Sequence, residues 1–164
     1  MYALILLVLY DITAGAVVIG FDSARPGTMP AGWTAHLTHA GTPSRWEVVL
    51  DDSAPSRPSL FAQLSTDQTA GRFPLVIENP SFLNGSVAVL FKPVAGVVDQ
   101  AAGIVWRYRN PENYYIVRAN ALENNVVLYK VVGGLRTSIP PKGLPSRSYG
   151  VQYSIAKRQG ARCR

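Results

Sequence analysis

The stretch AAGIVWRYRNPENYYIVRANALENNVVLYKVV, residues 101–132, decides the fold. Its apolar and aromatic residues are β-branched or ring-bearing and recur at intervals of two, and two clusters of Asn, Pro and Glu break the run into three pieces. That is the pattern of an antiparallel meander. Asn110-Pro111-Glu112-Asn113 reads as a four-residue turn that pairs Arg109 with Tyr114. Glu123-Asn124-Asn125 reads as a three-residue turn that pairs Leu122 with Val126. Because strand side chains alternate, one face then collects Ile104, Trp106, Tyr108, Tyr115, Val117, Ala119, Ala121, Val127, Tyr129 and Val131 and is expected to be the core. The other collects Val105, Arg107, Arg109, Tyr114, Ile116, Arg118, Asn120, Leu122, Val126, Leu128 and Lys130. This second face is too polar for a core and too apolar for an ordinary solvated surface.

Outward from the meander the same texture continues. Strands are expected near residues 17–22, 32–38, 45–51, 59–65, 73–78, 86–94, 102–109, 113–121, 126–132 and 135–139. No sustained helical period appears. The 12 prolines and 14 glycines fall mostly between these runs, where turns need them. Ten such strands in a chain of 164 residues imply one all-β domain, a two-sheet antiparallel β-sandwich. No repeat, low-complexity segment or linker divides it.

The charge distribution narrows the partners. The chain carries 16 Lys+Arg against 10 Asp+Glu, a formal +6, which invites a nucleic-acid reading. Yet all ten acids and ten of the basic residues lie within residues 1–141, and the whole surplus is Lys142, Arg147, Lys157, Arg158, Arg162 and Arg164. A neutral body with a basic tail lacks the continuous positive face that tracks phosphates, so no nucleic-acid partner is expected.

At the start, Tyr2 to Tyr10 is an apolar run of signal-peptide length, and Ala14-Gly15-Ala16 supplies the small-x-small pattern that precedes a cleavage site. Residues 1–16 are therefore expected to be a signal peptide, 17–145 the sandwich and 146–164 an atypical basic tail. The expected location is secreted or periplasmic. Asp11 interrupts the run and no Lys or Arg precedes it, which leaves open an N-terminal membrane anchor or a buried first strand. The single Cys163 excludes a disulfide-dense scaffold.

The polar face of the meander is the candidate site. Arg107, Tyr114, Arg118, Asn120 and Lys130 would converge across three neighbouring strands, where guanidinium and amide donors suit hydroxyls or carboxylates and a phenol stacks on a sugar ring. A slip of one residue would exchange the two faces. No metal site is expected. His36 and His39 have H-x-x-H spacing but sit in a strand, where positions three apart point to opposite faces. Asp51 and Asp52 read as turn formers, with a calcium site as the alternative. Glu47, Asp99 and Glu112 are isolated acids, so the paired-carboxylate scheme of glycoside hydrolysis lacks its signature. Neither a nucleophile elbow nor a phosphate-binding glycine loop is present.

The runs Ala102 to Ala119 and Asn125 to Val131, with Gly103 ahead of Arg107-Tyr108 and Asn113-Tyr114-Tyr115 after the turn, resemble the central part of the concanavalin A-like jelly rolls. Nearest are the exported bacterial domains related to 3-keto-disaccharide hydrolases. Phe21-Asp22 with Pro30-Ala31-Gly32-Trp33, and Arg45-Trp46-Glu47-Val48, resemble the opening strands of that family, and the likeness covers about residues 18–140. It implies a twisted jelly-roll sandwich whose concave sheet faces glycans. In relatives that cleave 3-keto-glycosides, the C3 carbonyl acidifies the C2 proton, and elimination needs a base and an electrophile at the ketone oxygen. Arg107 or Lys130 could polarise that oxygen, but no base stands out. After Ser146 the pattern is lost. The final Trp-containing strand and Asp-Gly turn expected there are replaced by a sequence that reads either as a truncated or frame-shifted end or as a short basic tail.

The resulting expectation is an exported domain that binds carbohydrate on its concave sheet without a catalytic motif or cofactor. A 3-keto-glycoside hydrolase or lyase and an envelope protein-interaction module are the alternatives.

Overall fold

A computed structural model of the chain describes residues 2–12, 15–52, 58–67, 69–78, 86–139, 144–145 and 153–154. The protein is all-β, with several antiparallel sheets. The strands are β1 (Tyr2–Ile12), β2 (Gly15–Ile19), β3 (Thr34–Leu37), β4 (Trp46–Leu50), β5 (Ser59–Gln63), β6 (Pro74–Ile77), β7 (Ser86–Ala95), β8 (Ala101–Asn110), β9 (Asn113–Asn120), β10 (Asn125–Val132), β11 (Leu135–Ser138), β12 (Leu144–Pro145) and β13 (Tyr153–Ser154). The ten strands expected from periodicity correspond to β2 through β11, and β1, β12 and β13 are additional.

The larger sheet has the order β13-β7-β1-β5-β4, with β2 also paired to β1. The backbone of β1 is central in it, between β7 on one side and β5 and β2 on the other. The apolar run expected as a signal peptide thus has ladder partners, while Ala14 of the expected cleavage motif lies outside the described residues. So does nearly all of the basic tail. Among the described residues no helix is long and apolar enough to cross a membrane.

The second sheet runs β11-β10-β9-β8 with β12 on β10, and β3 and β6 form a separate two-stranded ribbon. The expectation of two sheets is therefore met by three, the ribbon being the addition. Strand β5 is buried along its whole length, as an inner strand covered on both faces must be. Its Phe61 is fully buried, with ring centroids 5.3 Å from Phe21, 5.3 Å from Trp33 and 5.5 Å from Trp46. Val48, Val89 and Ile104 complete this cluster, which joins the larger sheet to β8. A second cluster of Leu75, Tyr114 and Val131, with Ile77, Val105, Tyr108 and Ile116 against it, packs the ribbon onto the β8–β10 face that carries Tyr114.

Two local features correct the expected faces of the meander. The β9–β10 connection pairs Asn120 with Asn125 rather than Leu122 with Val126. Asn124 adopts the left-handed conformation, φ 48°, and the Asn120 carboxamide oxygen accepts the Leu122 amide at 3.0 Å, closing a four-residue turn. The change in register is odd, so β10 is turned over. Val127, Tyr129 and Val131 share the face of Tyr114 and Arg118, while Val126, Leu128 and Lys130 lie on the other.

In β8 the ladder is regular from Ala101 to Trp106, shifts register, and resumes at Asn110 paired with Asn113. Arg107 sits in the interruption with φ 50°. This β-bulge re-aims the side chains beyond it. Arg107 is exposed, and Tyr108 packs on the Tyr114 face rather than beside Trp106.

Candidate functional site

Where the start of the ribbon, Phe73 to Leu75, approaches Trp46 and Gln63 of the larger sheet, a cleft opens over the β8–β10 face. Asp99, Ala101, Ala102, Tyr114, Ile116, Arg118, Tyr129 and Arg136 complete its lining, and the cleft is partly open to solvent. Three of the five expected site residues meet on this face. Tyr114 and Arg118 line the cleft, and Asn120 stands beside them, bonded to Asp99. Arg107, displaced by the bulge, and Lys130, on the reversed face of β10, are outside it.

Gly103 lies directly opposite Arg118 in the ladder, and a side chain there would overlap the Val117 carbonyl oxygen. The absence of a Cβ lets β8 approach β9 closely under the site. Arg118 is 7% exposed. One terminal nitrogen donates to Asp99 Oδ1 at 3.4 Å, and the other donates to Glu123 Oε2 and reaches Asn125 Oδ1 at 3.5 Å. Its guanidinium also lies 5.5 Å from the Tyr129 ring centroid. Asn120 donates from Nδ2 to the same Asp99 Oδ1. Asp99 is thus held through one oxygen, and its other oxygen has no protein partner among the described residues. Burial pushes the Glu123 carboxyl upward, but the Arg118 charge and hydrogen bonds from Asn125 and Arg118 outweigh it and hold the group below its ordinary value.

Tyr114 is 3% exposed, and its phenol oxygen lies 2.8 Å from Thr38 Oγ1. Since Thr38 Oγ1 donates its one proton to the Pro111 carbonyl at 3.1 Å, the Tyr114 hydroxyl donates to Thr38. Burial raises the Tyr114 phenol above its ordinary value despite that bond, and burial with the neighbouring Tyr114 does the same for Tyr108. Tyr114 is therefore a wall of the cleft, not an exposed stacking platform. Arg136 provides the exposed cation, lying 4.1 Å from the Phe73 ring centroid and 4.5 Å from that of Tyr129.

Among buried polar atoms, Trp46 Nε1, Gln63 Oε1 and Arg118 Nε have no hydrogen-bond partner among the described residues. All three residues line this one cleft and are more than nine-tenths buried. Buried groups of this kind are ordinarily paired, and leaving one unpaired costs about 1–3 kcal/mol. Sequence reasoning missed Trp46, Gln63, Asp99, Tyr129 and Arg136. A glutamine directly after the apolar Leu60-Phe61-Ala62 was the visible sign for Gln63. An acid two residues ahead of the strand that starts opposite Asn120 was the sign for Asp99.

The remaining candidates are accounted for locally. His36 Nε2 lies 3.0 Å from Thr34 Oγ1, and its ring packs on Tyr108. His39, at φ 64°, is held by both carboxylate oxygens of Glu112, through its backbone amide at 2.6 Å and Nδ1 at 3.4 Å. Asp51 pairs with Lys92 at 3.6 Å and Glu47 with Arg45 at 3.6 Å. Among the described residues no group of three His, Cys, Asp or Glu side chains is placed to hold a metal ion. Comparison of the chain with protein-family models, curated proteins and solved structures found no match.

Proposed function

We propose that the chain is an exported carbohydrate-binding domain, a β-sandwich of the concanavalin A-like jelly-roll kind, that takes its ligand in the cleft over β8–β10. The observation that carries this reading is a cleft that sets the rings of Phe73 and Tyr129 beside two polar groups that reach solvent, Asp99 and Arg136. The Arg136 guanidinium is a donor and the Asp99 carboxylate an acceptor. A hydroxyl both donates and accepts, so a polyhydroxylated ligand can satisfy groups of both kinds. The resemblance of residues 18–140 to that family supports the same ligand class and, with it, a secreted or periplasmic location. A glycan array probed with the full chain tests the proposal: binding to a defined group of oligosaccharides is expected, and an array with no ligand overturns it.

A second reading, 3-keto-glycoside cleavage, gains from the presence of Asp99 in the cleft. Its second carboxylate oxygen, without a partner among the described residues, would supply the base the sequence did not reveal, and Arg136 a guanidinium for the ketone oxygen. Transfer of the C2 proton to Asp99 would leave its electron pair to form a C1=C2 double bond as the C1–O bond breaks, and the aglycone would depart as an alcohol, taking its proton from water or from the protonated Asp99. Release of aglycone from a 3-keto-glucoside, abolished by Asp99→Asn, would support this reading, and no release would remove it.

A further inference from the structure

We infer that Asp99 sets the charge class of the ligand: it holds Arg118 out of use for anions, so that the cleft accepts an uncharged hydroxylated ligand and rejects carboxylated or phosphorylated ones. The inference rests on the carbohydrate reading above and goes beyond it, because two arginines lining one cleft would by themselves point to an acidic sugar.

Arg118 is already occupied. One terminal nitrogen is held by Asp99 and the other by Glu123, so two carboxylates surround one guanidinium that is 7% exposed. The charge of Arg136 lies over the faces of Phe73 and Tyr129. Taken together, Asp99, Glu123, Arg118 and Arg136 sum to no net charge.

The hydrogen-bonding complement agrees. An incoming carboxylate can only accept, and it would meet a further acceptor, the second oxygen of Asp99. The Asp99 side chain is 30% exposed and so reaches the cleft with its negative charge. A like charge brought against it is disfavoured, the more so in a cleft shielded from water. A hydroxyl meets the same cleft without conflict, donating to Asp99 and accepting from Arg136. Asp99 thus acts on specificity twice, as an acceptor for the ligand and as the counter-ion that keeps Arg118 from binding anions.

The test is calorimetric titration of the full chain with oligosaccharides matched in length, one set neutral and one bearing uronic acids. The wild-type protein is expected to bind neutral members at least about tenfold more tightly. Asp99→Asn is expected to weaken neutral binding by about tenfold and to gain measurable uronate binding, because Arg118 loses one counter-ion. Its circular dichroism and melting temperature report whether it folds, and the wild-type ratio stands without it. A wild-type preference for uronates overturns the inference while leaving the carbohydrate reading intact. So does a folded Asp99→Asn protein whose neutral-to-uronate ratio is unchanged. If neither set binds the wild-type chain, the carbohydrate reading fails and the inference falls with it.

Discussion

Tyr108 and Tyr114 lie with ring centroids 6.4 Å apart on one face of the second sheet, although regular pairing of β8 with β9 would put them on opposite faces. The left-handed Arg107 just ahead of Tyr108 and the register shift it accompanies make the contact possible. The two phenols then differ in one respect: Tyr114 donates to Thr38, whereas the buried Tyr108 hydroxyl has no partner among the described residues.

That difference predicts opposite effects of removing each hydroxyl. Tyr114→Phe leaves Thr38 without its donor and is expected to destabilise the fold by about 0.5–1.5 kcal/mol. Tyr108→Phe removes an unsatisfied buried group and is expected to be neutral or stabilising. Urea denaturation of the two variants beside wild type measures both.

The same phenols set the alkaline limit. Burial raises both above the ordinary tyrosine value near 10, so the folded protein holds protons that the unfolded chain releases. Their contribution is present in full below that ordinary value and is lost as pH rises through the raised ones. Melting temperature is expected to fall more steeply above about pH 10 for wild type than for the Tyr108→Phe, Tyr114→Phe double variant.

At the acid side the sign reverses. Glu123 is held below its ordinary carboxyl value by Arg118, against the upward push of burial, so its contribution is present above the unfolded value near 4.3 and is lost as pH falls through the depressed one. The gap in melting temperature between wild type and Glu123→Gln is expected to close as pH falls from about 6 to about 2.

Under the site, Gly103→Ala forces a methyl against the Val117 carbonyl oxygen directly across from Arg118. Overpacking of this kind costs about 1–3 kcal/mol. Denaturant unfolding should show that loss, and Gly103→Ala should also weaken glycan binding by separating β8 from β9. Unchanged stability would mean that the strands are not held as closely as described.

Sequence periodicity located β2 through β11 because each is short, β-branched or aromatic, and bounded by turn residues. It could not find the separate ribbon, since nothing in Thr34–Leu37 or Pro74–Ile77 distinguishes it from two strands of a larger sheet. The faces of the meander were legible only as far as its turns were. Asn120, Asn124 and Asn125 permit several closures, and the one adopted changes the register by an odd number, which carries Lys130 away from Arg118 and brings in Tyr129. The bulge at Arg107 was equally hidden, because arginine carries no mark of positive φ as glycine would. Tyr114, Arg118 and Asn120 were readable together because they alternate along one uninterrupted strand. Asp99, Trp46 and Gln63 reach the cleft from other segments, through contacts that periodicity does not encode.

The most direct test is a set of single variants titrated with whichever glycan the wild-type chain binds. Arg118→Met and Gln63→Leu change groups that line the cleft, whereas Arg107→Ala and Lys130→Ala change cations outside it. The cleft assignment predicts at least about tenfold weaker binding for the first pair and no more than about twofold change for the second. Loss of binding in Arg107→Ala or Lys130→Ala, with Arg118→Met and Gln63→Leu folded and unaffected, would contradict it.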